Sequence, residues 1–92
     1  MYQIFFTNKM KKDVKRMKKR GKDMSKLTTV LNLLSSGTSL PDTYDDHSLS
    51  GTLKDFRECH IEPDWLLMYK KEEDTLLLIA AGTGSHSDLF GI

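Results

Sequence analysis

Long apolar runs are missing from this 92-residue sequence. The longest, Leu76 to Ala81, is the length of a strand, far short of the roughly 20 residues a membrane-crossing helix needs. The first twenty residues also lack the apolar core of a signal peptide, so no membrane partner is expected. A single cysteine, Cys59, excludes an internal disulfide framework and a cysteine-rich zinc site, and a reducing cytoplasm is the expected location. Histidine is scarce too: His47, His60 and His86 are the whole supply, and their spacing fits neither HExxH nor a zinc finger. The only glycine-rich stretch, Gly82-Thr83-Gly84-Ser85, lacks the lysine and the longer glycine spacing of a nucleotide loop. Neither a metal nor an organic cofactor is therefore expected.

What is present makes one folded domain, spanning residues 1–92. The chain is short, but 38% of it is apolar and it contains only two prolines, so it does not read as disordered. Its formal net charge of +1 conceals a strong asymmetry. Residues 9–26 carry ten Lys or Arg against Asp13 and Asp23, whereas residues 27–92 carry four against eleven acids. A basic block of that density attracts a polyanion or an acidic protein segment, unless it serves only as a solvated helix face. Its candidate substrate-binding residues are Lys11, Lys12, Lys15, Arg16, Lys18 and Lys19.

Periodicity divides the chain into elements. Met1 to Thr7, with Tyr2, Ile4, Phe5 and Phe6, has the composition of a first strand. Asn8 is placed to cap a helix whose stripe is Met10, Val14 and Met17, with Gly21 as its break. A second helix starts at Met24 or Ser25, buries Leu27, Val30, Leu31 and Leu34, and stops before Gly37. Residues 37–52 read as a long polar loop, a common setting for function. From Leu53 the period shifts to two. Phe56, Glu58 and His60 then share one face of a strand, with Arg57, Cys59 and Ile61 on the other. Glu62-Pro63-Asp64 turns into the strand Trp65 to Tyr69, Lys70 to Asp74 connects a hairpin, and Thr75 to Ala81 returns. The tail from Gly82 reads as loop and one helical turn. The expected architecture is α+β, in the order β-α-α-β-β-β, with a small, mainly antiparallel sheet. Two N-terminal helices cover one face and leave the other for a ligand.

The histidines stand in polar, turn-rich settings, and a cleft that gathered them would hold a general acid and a general base near neutral pH. Asp64, four residues after His60, can orient an imidazole or accept a proton. Scattered surface histidines are the plain alternative. Arg57 offers a planar fork to phosphate, although strand parity sets it opposite His60. Phe90 either stacks on a base or pins the tail to the core.

Three stretches together are far more specific: Asp46-His47-Ser48-Leu49-Ser50-Gly51, Phe56 through Tyr69 (an FRxxHxxPD-like strand and turn), and Thr83-Gly84-Ser85-His86-Ser87-Asp88-Leu89-Phe90. Over nearly the whole chain this pattern resembles the YafQ branch of the RelE/ParE toxin superfamily. The resemblance implies a toxin of a bacterial type II toxin-antitoxin system, with a cognate antitoxin and the ribosome, its mRNA and its ribosomal RNA as partners. It further implies ribosome-dependent cleavage of mRNA without a metal. The ribose 2′-hydroxyl attacks the adjacent phosphate and leaves a 2′,3′-cyclic phosphate. The matching catalytic positions are His47, His60, Asp64 and His86. His86 is the expected acid and His60 or Asp64 the base, while His47 and Arg57 steady the phosphate and Phe90 positions the substrate. One departure stands out: relatives commonly carry an arginine where this chain has Gly82. The alternatives are a noncatalytic RNA- or antitoxin-binding protein and a ParE-like gyrase-directed toxin, which does not share this histidine set.

Overall fold

The computed structural model describes residues 1–91. Strand β1 (Gln3–Phe6) leads into helix α1 (Asn8–Lys19), then helix α2 (Met24–Ser35). After the connection come β2 (His47–Ser48), β3 (Arg57–Glu62), β4 (Trp65–Glu72), β5 (Leu77–Gly84) and a short helix α3 (His86–Phe90). The sheet order is β1-β5-β4-β3-β2, parallel between β1 and β5 and antiparallel elsewhere. The α+β reading holds, and the sheet is mainly antiparallel as expected.

The apolar face of each helix explains the layering. Met10 and Met17 of α1 and Leu27, Val30, Leu31 and Leu34 of α2 are buried against Cys59, Trp65, Leu67, Tyr69, Leu78 and Ala80. Those sheet residues alternate along β3, β4 and β5, so they share the covered face. The opposite face carries Glu58, His60, Leu66 and Met68, the partners in register being Glu58 with Met68 and His60 with Leu66. Trp65 is fully buried because its polar edge is satisfied. The indole Nε1 donates to Thr83 Oγ1 at 2.9 Å, and that hydroxyl donates to Leu66 O at 2.7 Å.

Several expectations need correction. Thr7, not Asn8, caps α1: its hydroxyl accepts from Met10 N, while Asn8 is already helical. Residues 37–52 are not wholly loop, since His47 and Ser48 form an edge strand beside Glu58 and Arg57. A two-residue strand is too brief to leave a period in the sequence. The last strand begins at Leu77, after Leu76 takes a positive φ of 52°, and it runs through the stretch expected as loop to Gly84. Phe56 precedes β3 instead of belonging to it, and its ring centroid lies 5.9 Å from Lys70 Nζ.

α1 also does something that its stripe does not announce. Where β1 ends, the first turns of α1 take its place along the edge of β5. Thr7 N donates to Ala80 O, Thr7 Oγ1 to Ala81 O, and Thr83 N to Asp13 Oδ2 at 3.1 Å. Asp13 is only 2% exposed and is further held by Lys9 Nζ at 2.7 Å and Arg16 Nη1 at 3.3 Å. A buried carboxylate needs that full set of donors. Among the described residues no helix is long and apolar enough to cross a membrane.

Candidate active site

β2, β3 and the N-terminus of α3 deliver the three histidines to the uncovered face of the sheet. The rings stand in series: His47 to His60 with centroids 6.1 Å apart and planes 30° apart, then His60 to His86 at 5.8 Å and 47°. The scattered-surface alternative is thereby removed. His47 Nδ1 contacts Asp45 O at 2.8 Å and its Nε2 lies 3.2 Å from Glu58 Oε1. His60 is the most enclosed ring. Its Nδ1 is buried with no hydrogen-bond partner, the nearest carboxylate being Asp45 at 3.6 Å. Such an orphaned nitrogen is costly in a finished core and usual where a reacting group is to be bound.

His86 is fixed more firmly than the others. Asp64, in the turn between β3 and β4, accepts its backbone N–H at 2.9 Å and lies 2.7 Å from its Nδ1. The His86 backbone amide, then its ring, hold the Asp64 carboxyl below the usual carboxylate range. An ionised Asp64 only accepts, so Nδ1 carries the proton and Nε2 is left as the nitrogen not engaged by Asp64. α3 itself is secured by a capping box between Ser85 and Asp88 and by a two-pronged ion pair from Arg20, whose second prong is 2.8 Å long. Arg20, ahead of the Ser85 amide, holds the Asp88 carboxyl well below the usual range. Gly84 permits the approach. It sits at φ +154°, and a Cβ there would come within 2.8 Å of Asp88.

The sequence missed Glu58 as a site residue. It is 5% exposed, and one ligand atom each from Glu58, His60 and His86 all lie within 4.8 Å of one another. Its parity with His60 was the available signal. The set weighed for a metal (His47, His60, His86, Asp64) is thus not the one the fold gathers most tightly. Two imidazoles and a carboxylate suit zinc or copper.

Arg57 does not join the cluster. It lies on the helix-covered side, near the sheet edge, with Nε 3.2 Å from Asp46 Oδ1 and Nη1 2.8 Å from Ser48 Oγ. Tyr69 OH donates to the same Asp46 oxygen at 2.6 Å. Arg57, Asp46 and Tyr69 border a cleft of about 430 Å³ beside the C-terminal end of α2, whose lining includes Asp45, the neighbour of His47 and His60, but none of the three histidines. Of the basic block, Lys11, Lys12, Lys15, Lys18 and Lys19 are exposed along α1, whereas Arg16 is committed to Asp13. Phe90 ends α3 half-buried.

Residues 2–91 match the family of bacterial toxins of type II toxin-antitoxin systems called YafQ. The chain belongs to the YafQ family. It is 45% identical over 89 residues to the mRNA interferase toxin YafQ of Escherichia coli, covering 96% of this chain and 95% of that one. It superposes on the E. coli YafQ toxin in its DinJ–YafQ complex with a TM-score of 0.89 at 41% identity, over 99% of this chain and all of the other. A metal-bound toxin from Helicobacter pylori gives a TM-score of 0.92 at 42% identity, over 98% of this chain and all of that one. The RelE/ParE fold expected from the sequence is thus the fold of this YafQ-family chain.

Proposed function

We propose that this YafQ-family chain is an endoribonuclease that cuts ribosome-bound mRNA by acid-base chemistry at the three histidines. The observation that carries the reading is His86, whose Nδ1 is tied to an ionised Asp64 while its ring stands 5.8 Å from that of His60. His60 takes the proton of a ribose 2′-hydroxyl. The oxygen attacks the adjacent phosphorus, and the bond to the 5′-oxygen breaks. His86, entering the step protonated, donates the Nε2 proton to that leaving oxygen, and the product ends in a 2′,3′-cyclic phosphate. Asp64 serves as orienter and counter-charge and not as the base, because accepting two hydrogen bonds from His86 lowers its basicity. His47, paired with Glu58, borders the charge that develops on the phosphate. Arg57 is given no part in this chemistry, since it lies across the sheet. The exposed lysines of α1 follow ribosomal RNA phosphates. A cognate antitoxin is the natural partner, as DinJ is for the E. coli protein.

The test is to map RNA ends after adding the antitoxin-free protein to programmed ribosomes and, separately, to naked RNA. Position-specific cuts with cyclic-phosphate ends on ribosomes support the reading. Absence of cuts from a folded, ribosome-bound protein refutes it in favour of a binding-only toxin.

A second reading concerns metal. The Glu58, His60 and His86 set, together with the metal-bound H. pylori relative, supports binding of a copper or zinc ion at the same atoms. Such an ion would occupy the nitrogens that proton transfer requires, so it would inhibit. Activity that rises on chelating trace metal from the purified protein agrees with this; activity lost on chelation and regained with zinc overturns it.

A further inference from the structure

Gly82 is a glycine for reasons of space and not of backbone. It is buried and its φ is not positive, so any residue would fit the local chain geometry. What a side chain would meet is Lys9: a Cβ at 82 would stand 3.1 Å from Lys9 Nζ, with Asp13 Oδ2 and Leu89 Cδ2 each at 3.2 Å. The glycine leaves a seat against β5 in which an ammonium group rests.

That seat belongs to the histidine face. Register across the sheet runs His47–Glu58–Met68–Gly82 in one rung and His60–Leu66–Gly84 in the next. Side chains two residues apart on a strand share a face, so both rungs present the same surface. His47 stands at one end of the first rung and Lys9, curling over from α1, at the other. Strands are about 4.8 Å apart, which puts Gly82 roughly 10 Å from Glu58. That is too far for the phosphate being cut and suits a neighbouring one on the same strand.

We infer that Lys9 is a phosphate-binding residue of this site, seated by Gly82 and gripping the RNA backbone next to the scissile position. The inference rests on the ribonuclease reading only in taking RNA as the polyanion. Lys9 is otherwise placed to neutralise Asp13. Asp13, however, also receives Arg16 and the Thr83 amide, and the Lys9 side chain remains 52% exposed. An ammonium has three donors, and among the described residues only Asp13 takes one. The ammonium stands at the Gly82 end of the first rung, and the lysines singled out from the sequence lie further along α1.

The experiment is equilibrium binding of a 2′-O-methyl RNA oligonucleotide, which cannot be cleaved, across a range of salt. Lys9→Gln should weaken binding several-fold and flatten log Kd against log salt by about 0.7, the contribution of one single-strand phosphate contact. Lys9→Arg should keep the slope. Adding Gly82→Arg to Lys9→Gln, which fills the emptied seat with a guanidinium, should restore it. Because Lys9→Gln leaves Asp13 with less compensation, Lys9→Gln/Asp13→Asn serves as a second variant that neutralises the pair together, and its slope must flatten equally. An unchanged slope in both, with only the melting temperature lowered, overturns the inference and leaves Lys9 a partner of Asp13. Wild-type protein that binds with the expected slope but never cuts RNA would instead sink the nuclease reading.

Discussion

One carboxylate oxygen of Asp64 engages both the backbone N–H and the Nδ1 of His86, at 2.9 and 2.7 Å. A single acceptor thus sets both the position of α3's first residue and the tautomer of its ring. Asp64→Ala should slow cleavage by about 10- to 100-fold, less than the ~10²–10⁴ that general acid-base catalysis supplies in full, because the imidazole remains nearby but free to turn. Single-turnover cleavage on programmed ribosomes measures this, and a rate within twofold of wild type would remove Asp64 from the mechanism.

Arg20 should matter to activity although it touches no histidine. It reaches from the end of α1 to Asp88 inside the capping box of α3. Asp88 titrates below its unfolded value, so the stability it contributes is present above the ordinary carboxylate range and is lost as pH falls through its lowered folded value. Arg20→Ala should therefore speed amide exchange in α3 at neutral pH. In wild type the same loosening should appear only under strongly acid conditions. Hydrogen exchange resolved to residues 86–90 is the measurement.

Asp13 should be costly to remove. Asp13→Ala leaves the Thr83 amide, on a fully buried residue, without its acceptor, a penalty of about 1–3 kcal/mol. Lys9 and Arg16 are about half exposed and rehydrate, so the deficit lies mainly at the amide. Urea unfolding followed by fluorescence of Trp65, the sole tryptophan and fully buried, should show a lower midpoint at unchanged slope.

Cys59 should be inert in the native protein. Burial pushes its thiol up to about 12, and it is fully enclosed by the core. The thiolate is the reactive form, so a maleimide should label Cys59 only at the rate of global unfolding. The sign is opposite to that of Asp88. This raised value favours the folded state below the thiol's ordinary range, and the contribution is lost as pH rises through about 12. Rapid labelling of native protein would show that the covered face opens locally.

Much of this was legible beforehand because it depends on periodicity. The stripe Leu27, Val30, Leu31 and Leu34 and the alternation of Glu58 and His60 against Arg57 and Cys59 each report a buried or open face directly. That same parity set Arg57 apart from His60, and the fold leaves it there, tied to Asp46 and Ser48. Other features have no local signature. β2 is two residues long and exists because β3 offers it an edge. Asp13 looks like one acid among lysines until Thr83, seventy residues away, turns its amide toward it. Lys9 likewise reads as one more member of a basic block. Only the packing of α1 on β5 shows that its neighbour is Gly82, and what a side chain there would meet.

The parallel pairing of β1 with β5 sets Ile4 beside Leu78, so the first strand joins the sheet only by pairing with the last strand made. His86 then waits on a helix that follows that strand. During synthesis, therefore, the first three elements emerge with no sheet to cover, and the N-terminal two-thirds of the chain holds His47 and His60 but not His86. Long-range closure of this kind makes folding late and slow compared with a helical bundle of the same size. A chain still under synthesis therefore carries no complete histidine series until its last strand and the start of α3 have been joined.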